Sequence, residues 1–149
     1  MSPDQKALVQ ETWRHVEPIA DTAASLFYGR LFAIDPSTRP LFAGVDLEKQ
    51  RKKLLQALTL VVASLERIEE LVPAIQDLGR RHVAYGVTDA HYDSVGDALM
   101  WTLEQGLGNA WTAEAEAAWA AAYGLLSGVM REAAGAANDT AAEARREVA

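Results

Sequence analysis

The chain has 149 residues, no cysteine and a formal net charge of −7. This excludes a disulfide framework, a thiolate metal site and a thiol nucleophile, and it excludes nucleic acid as a partner, because phosphate binding needs clustered Lys and Arg. Residues 1–6 hold no apolar signal region. The longest apolar run, Leu54 to Leu65, is broken by Gln56, Thr59 and Ser64 and is too short for a bilayer, so one soluble, cytoplasmic domain with no membrane partner is expected.

Ser2-Pro3-Asp4-Gln5 reads as a helix start, with a serine cap, proline at the first helical position and glutamine completing a capping box. Leu8, Val9, Thr12 and Trp13 then face inward. Pro18 starts a second helix, on which Ile19, Ala23, Leu26, Phe27, Arg30 and Leu31 repeat at helical spacing. Asp35-Pro36 ends it, because the residue before proline avoids helical angles. Ser37 to Phe42 is one more short turn, and Asp46 caps the next helix. That helix runs from Leu47 to Leu65, with Leu47, Leu54, Leu58, Val61 and Leu65 on one stripe and Lys49, Arg51, Lys52 and Lys53 in its first turns.

A short helix starts near Pro73 and ends before Gly86. It places Val72, Ile75, Leu78, Gly79 and His82 on one face, with Arg80 and Arg81 turned away. Another helix spans about His91 to Gly106, with Tyr92, Val95, Leu99 and Leu103 inward. Thr112 caps a long alanine-rich helix to about Ala134, whose stripe is Ala115, Trp119, Tyr123, Leu126 and Met130. Gly124-Leu-Leu-Ser-Gly128 is a small-xxx-small pattern that permits close helix packing. Nothing alternates at period two, so the class is all-α. The expected domain is 1–136, followed by a polar, frayed tail over 137–149.

His82 occupies a place where a core residue belongs. Two readings are open on that stretch alone: a core histidine satisfied by a backbone carbonyl, or a neutral imidazole with a nitrogen free for iron. Tyr28, flanked by inward residues, needs a hydrogen-bond partner. Gln50 lies one turn before Leu54 on the same face. Tyrosine and glutamine either pair with each other or act together as donors to an oxygen molecule held opposite His82.

Five motifs carry a resemblance over Ser2 to Arg131: Phe27-Tyr28-x-x-Leu31-Phe32; Pro36-x-x-Arg39-Pro40-Leu41-Phe42; Asp77-Leu-Gly-Arg-Arg-His82; His91-Tyr92-x-x-Val95-Gly96; and Ala118-Trp119-x-x-x-Tyr123-Gly124. In order and spacing the chain resembles the globin family, most nearly bacterial single-domain haemoglobins and the haem domain of flavohaemoglobins, with likeness to neuroglobin over Leu78 to His82 and Thr112 to Met130. The resemblance implies about eight helices in a three-over-three sandwich around haem b. It implies His82 as the proximal iron ligand, Phe42 packing on the haem, and Tyr28, Gln50 and Leu54 around bound oxygen. Lys53, Leu78, Arg81, Val87, Tyr92 and Val95 complete the implied haem contacts.

Two departures stand out. Neuroglobin has a distal histidine where this chain has Gln50, so no bis-histidyl iron is expected. Flavohaemoglobins set a glutamate beside the proximal histidine and tyrosine, whereas here that position falls at about Ala134, with Glu132 the nearest carboxylate. The chain as given leaves no room for a reductase domain, so redox turnover is expected to need a separate reductase. Three functions follow: a globin that oxidises nitric oxide with bound oxygen; a non-enzymatic carrier, store or sensor of oxygen, nitric oxide or carbon monoxide; or a haem-free helical interaction module. The basic residues Lys49, Arg51, Lys52, Lys53, Arg80 and Arg81 are either a solvated face or a docking patch.

Overall fold

The computed structural model describes the backbone of residues 1–148 and the side chains of residues 1–136. The expectation of a frayed tail over 137–149 falls on side chains outside the described residues. The described residues form six α-helices: α1 (Pro3–Val16), α2 (Ala20–Ile34), α3 (Leu47–Ala63), α4 (Val72–Ala84), α5 (Asp89–Leu107) and α6 (Ala113–Val148). No strand occurs among the described residues. The long helices number six rather than about eight, because Glu17–Ile19, Pro36–Phe42, Leu65–Leu71 and Gly108–Ala110 wind as 3₁₀ turns. Such turns suit short connectors, where a full α-helical turn has no room to repeat.

The helix starts follow the sequence closely. Ser2 and Gln5 form the reciprocal capping box, Asp46 accepts the Glu48 and Lys49 amides, and Thr112 accepts the Ala115 amide. α5 begins two residues before the expected His91, because Thr88 is its cap and the Thr88 amide donates to His91 Nδ1 at 2.9 Å. α3 stops at Ala63, and Leu65 is buried in the following 3₁₀ turn instead. On α2 the buried stripe is Ala23, Ala24, Phe27, Tyr28 and Leu31, whereas Ile19, Leu26 and Arg30 are exposed. The 3₁₀ turn around Pro18 displaces Ile19 from the helix, and the small Ala24 lets α2 pack one position further round.

α4 packs chiefly on α6, α2 on α5, and α1 on α6. α3 rests on α2 and α1 more than on α4, its neighbour in the chain. Glycines allow two of the closest approaches. A Cβ at Gly79 would stand 2.5 Å from the Met130 carbonyl oxygen, and one at Gly96 would stand 2.8 Å from the Tyr123 ring. Gly124 and Gly128 have nothing within 4 Å of an added Cβ. The small-xxx-small pattern of α6 is therefore not where the helices come together. The close approach lies on the partner helices.

The core falls into two apolar clusters. The larger holds Trp13, Phe27, Tyr28, Leu31, Leu103 and Trp119, with Phe42, Leu54, Leu58, Val61 and Val95 half-buried against it. The smaller holds Ile75, Tyr92 and Met130, with Leu78 and Val87 against it. They meet along α5, where Tyr92 belongs to one and Val95, one turn on, to the other. Deep in the larger cluster, the Trp119 indole donates to the Thr12 hydroxyl at 2.8 Å, tying α6 to α1.

Candidate functional site

The first half of the site is built on α4. His82 is half-buried, and its Nδ1–H donates to the Leu78 carbonyl one turn back at 2.7 Å. A carbonyl only accepts, so the proton sits on Nδ1 and the lone pair sits on Nε2. Burial lowers the affinity of the imidazole for a second proton, the Leu78 hydrogen bond opposes that, and the Arg81 charge adds to it. The ring is thus held neutral with Nε2 carrying the lone pair, the form in which histidine binds a metal, and the backbone fixes the tautomer. A backbone carbonyl satisfies one nitrogen, as the first reading expects, and the other nitrogen is left without that partner.

α4 ends just beyond His82. Gly86 takes φ +89, and the Val87 amide donates to the His82 carbonyl at 3.0 Å, a left-handed helix stop that glycine makes without strain. The phenol ring of Tyr92 on α5 lies stacked near the imidazole, centroids 6.5 Å apart and planes at 28°. Tyr92 is buried, and its hydroxyl has no hydrogen-bond partner among the described residues. No group of three or more His, Cys, Asp or Glu side chains suited to a metal occurs among the described residues.

The second half gathers α2, the Pro36–Phe42 turn and α3. Tyr28 is 5% exposed and sits in an aromatic cluster, its ring 5.4 Å from Phe42, 5.0 Å from Phe27 and 6.1 Å from Phe32. Burial raises the pKa of its phenol, while hydrogen bonding with the Gln50 side chain and the Arg51 charge pull it down. Tyr28 therefore keeps its proton and remains a donor, with Gln50 beside it. The two residues set polar groups beside the apolar Phe42 and Leu54, which pack against the same core cluster as Tyr28. A cleft of about 340 Å³ opens at this corner, lined in part by Phe32, Arg39, Phe42 and Leu47.

The corner is anchored by a polar chain. Asp35 accepts the Ser37 hydroxyl and, at 2.7 Å, the Ser94 hydroxyl. Ser37 Oγ lies 3.1 Å from His91 Nε2. Since His91 Nδ1 accepts the Thr88 amide, Nε2 is the donor here. His91 thus works as a latch between the end of α2 and the start of α5, not as a base.

The predicted residues fall into two groups and a remainder. Tyr28, Phe42, Gln50, Leu54 and Val95 belong to the α2–α3 side, and Leu78, His82, Val87 and Tyr92 to the α4–α5 side. Lys53 and Arg81 are exposed, and Arg81 turns to Asp77 at 3.3 Å. Sequence reading missed Arg131. Its guanidinium lies 5.3 Å over the Tyr92 ring and pairs with Asp93 at 2.6 Å and Asp89 at 3.7 Å. The only signal for it was its place next to the inward Met130.

Comparison with known proteins identifies the family. The family model described as Globin matches residues 25–130, most of the chain. The chain is similar to the flavohemoproteins of Bordetella parapertussis and Bordetella bronchiseptica, each 34% identical over 134 residues, and to that of Deinococcus radiodurans, 32% identical over 132. Each match covers 87% of this chain and 33% of the relative, so the chain spans about a third of the length of these proteins. With its all-helical fold and a family match over most of its length, the chain belongs to the globin family.

Proposed function

We propose that the protein binds haem b through His82 and uses it to hold oxygen for the oxidation of nitric oxide to nitrate. The observation that carries this reading is the His82 imidazole, neutral and fixed by Leu78 with its Nε2 lone pair uncommitted. The donor set suits haem, because one protein nitrogen is enough when a porphyrin supplies the in-plane ligands. Half-buried Leu54, Leu58 and Val61 on α3 and Leu78 on α4 are apolar enough for the faces of such a disc. The match to proteins named flavohemoproteins supports the same cofactor. Lys53 and Arg81, exposed beside these helices, suit the carboxylates of the haem edge.

When bound, haem supplies reversible binding of diatomic gases, carbon monoxide included. The chain's own residues then divide the work. His82 would hold the iron, Phe42 would pack on the ring, and Leu54 would exclude water. Tyr28 keeps its proton and donates it in a hydrogen bond, with Gln50 orienting the phenol and adding an amide donor. The reaction joins one nitric oxide, one oxygen and one electron into one nitrate. The electron comes from a separate reductase, for which α3 and α4 present six basic side chains against two acidic ones in a chain of net charge −7. Complementary charge of this kind mainly speeds encounter.

A second reading, an oxygen carrier, store or sensor, is favoured by one observation. Among the described residues no carboxylate meets the Tyr92 hydroxyl, and Glu132 is exposed. The test is sustained nitric oxide removal under oxygen, followed by electrode with a flavin reductase and reduced nicotinamide cofactor present. The proposal expects many turnovers, one nitrate per nitric oxide, slowing as salt rises. A single turnover that then stops would leave the carrier reading.

A further inference from the structure

The side of the site behind His82 contains a charge that the family resemblance does not supply. Where the resemblance calls for a glutamate, the chain has the half-buried Ala134. The Tyr92 hydroxyl, which such a carboxylate would meet, is buried and has no partner among the described residues. The Arg131 guanidinium occupies this neighbourhood instead, 5.3 Å from the centre of the Tyr92 ring. A cation over a phenol face is held by the ring quadrupole. The same ring stacks near the His82 imidazole. Arg131 is itself fixed from α5, by Asp93 at 2.6 Å and Asp89 at 3.7 Å, one helical turn apart. Tyr123 completes the frame by donating to the Tyr92 carbonyl at 2.5 Å, which holds that turn of α5 against α6.

We propose that Arg131 is a positioning residue that acts through Tyr92 on His82, fixing the plane of the imidazole and giving the iron site a cationic in place of a carboxylate neighbour. The inference rests on the haem-binding reading above. A carboxylate on the histidine side increases electron donation to iron and favours the oxidised state, whereas a nearby cation favours the added electron of the reduced state. The guanidinium also compensates the charges of Asp89 and Asp93, with which it pairs. Its removal would both take away the positive charge and leave two carboxylates unscreened, and the two effects have the same sign.

The ferric–ferrous midpoint potential and the iron–histidine stretching band of the purified holoprotein test this. Arg131→Gln is expected to lower the potential, by about two- to fivefold in the ferric-to-ferrous ratio at fixed potential, the range for a partly exposed charge contact. It should also broaden the stretching band. Arg131→Lys should recover most of the potential and less of the band, because an ammonium keeps the charge without the planar fork. Asp93→Asn should shift the potential upward, since it leaves the cation less compensated. Shifts of the same direction in Arg131→Gln and Asp93→Asn, or none in either, would overturn the proposal as mere packing damage. Wild-type protein that takes up no haem would instead remove the underlying reading, and this inference with it. Should Arg131→Gln fail to fold, the opposed predictions for Arg131→Lys and Asp93→Asn still decide.

Discussion

The two helices that carry the site are held in different ways. α4, which bears His82, is pressed onto α6 so tightly that Gly79 has no room for a Cβ against the Met130 backbone. α3, which bears Gln50 and Leu54, has Val62 as its one fully buried residue, with Leu54, Leu58 and Val61 half-buried. A backbone-to-backbone contact cannot adjust, whereas half-buried leucines can change rotamer at low cost. On the proposed reading, the side that would hold the iron ligand is the rigid one. The side proposed to face the gas is the adjustable one.

That contrast can be broken first at its rigid end. Gly79→Ala drives a methyl into backbone and should cost about 2–3 kcal/mol by overpacking, read as a lower denaturant midpoint and faster haem loss. Unchanged stability would mean that α4 and α6 can move apart. The adjustable side should respond in ligand kinetics instead. A charge-assisted hydrogen bond contributes about 1.5–3 kcal/mol, so Tyr28→Phe should speed oxygen release by about ten- to a hundredfold and carbon monoxide release far less. Equal acceleration of both gases would show that Tyr28 acts by size. Gln50→Leu should follow the same pattern with a smaller effect, and the double substitution should fall short of the product of the two, because both donors serve one oxygen.

A smaller effect of opposite sign sharpens the comparison. Gly124→Ala adds a methyl where nothing stands within 4 Å, and replacing a helical glycine should stabilise by about 0.5–1 kcal/mol. Loss of stability there would restore the small-residue pattern as a packing device. Last comes an effect expected to be nil. Burial raises the Tyr28 pKa from its ordinary value of 10.0. The phenol is thus protonated in the whole range below that value, and its hydrogen bond is lost only as pH rises through the raised pKa. Oxygen release measured from about pH 6 to about pH 9 should show no step from this group.

How much of this was legible in sequence follows the range of each interaction. His82 and Leu78 are one turn apart on one helix, so both the inward placement and the backbone partner lie within local reach. Gln50 and Leu54 are likewise neighbours on α3, and the caps at Ser2, Asp46 and Thr112 are set by side chains within three residues. Arg131 could not be read this way, because its partners Asp89, Tyr92 and Asp93 lie on another helix. The glycines show the same limit. A small residue marks a close approach only if a partner surface arrives, and partners arrive at Gly79 and Gly96 but not at Gly124. Ile19 and Leu26 fit a helical period, yet the Pro18 turn and the small Ala24 rotated the buried face away from them. The Leu65–Leu71 turn has no period for a sequence to display, and Arg67 within it leaves helical angles altogether.

The central claim, that His82 is the single protein ligand of a haem iron, is tested most directly by the optical spectrum of the ferrous, gas-free protein. The account predicts a Soret band of five-coordinate, high-spin haem that His82→Ala abolishes or weakens to loosely held cofactor. A protein purified from haem-replete cells without a Soret band would contradict it, and so would a six-coordinate, low-spin ferrous spectrum, which would require a second protein ligand to the iron.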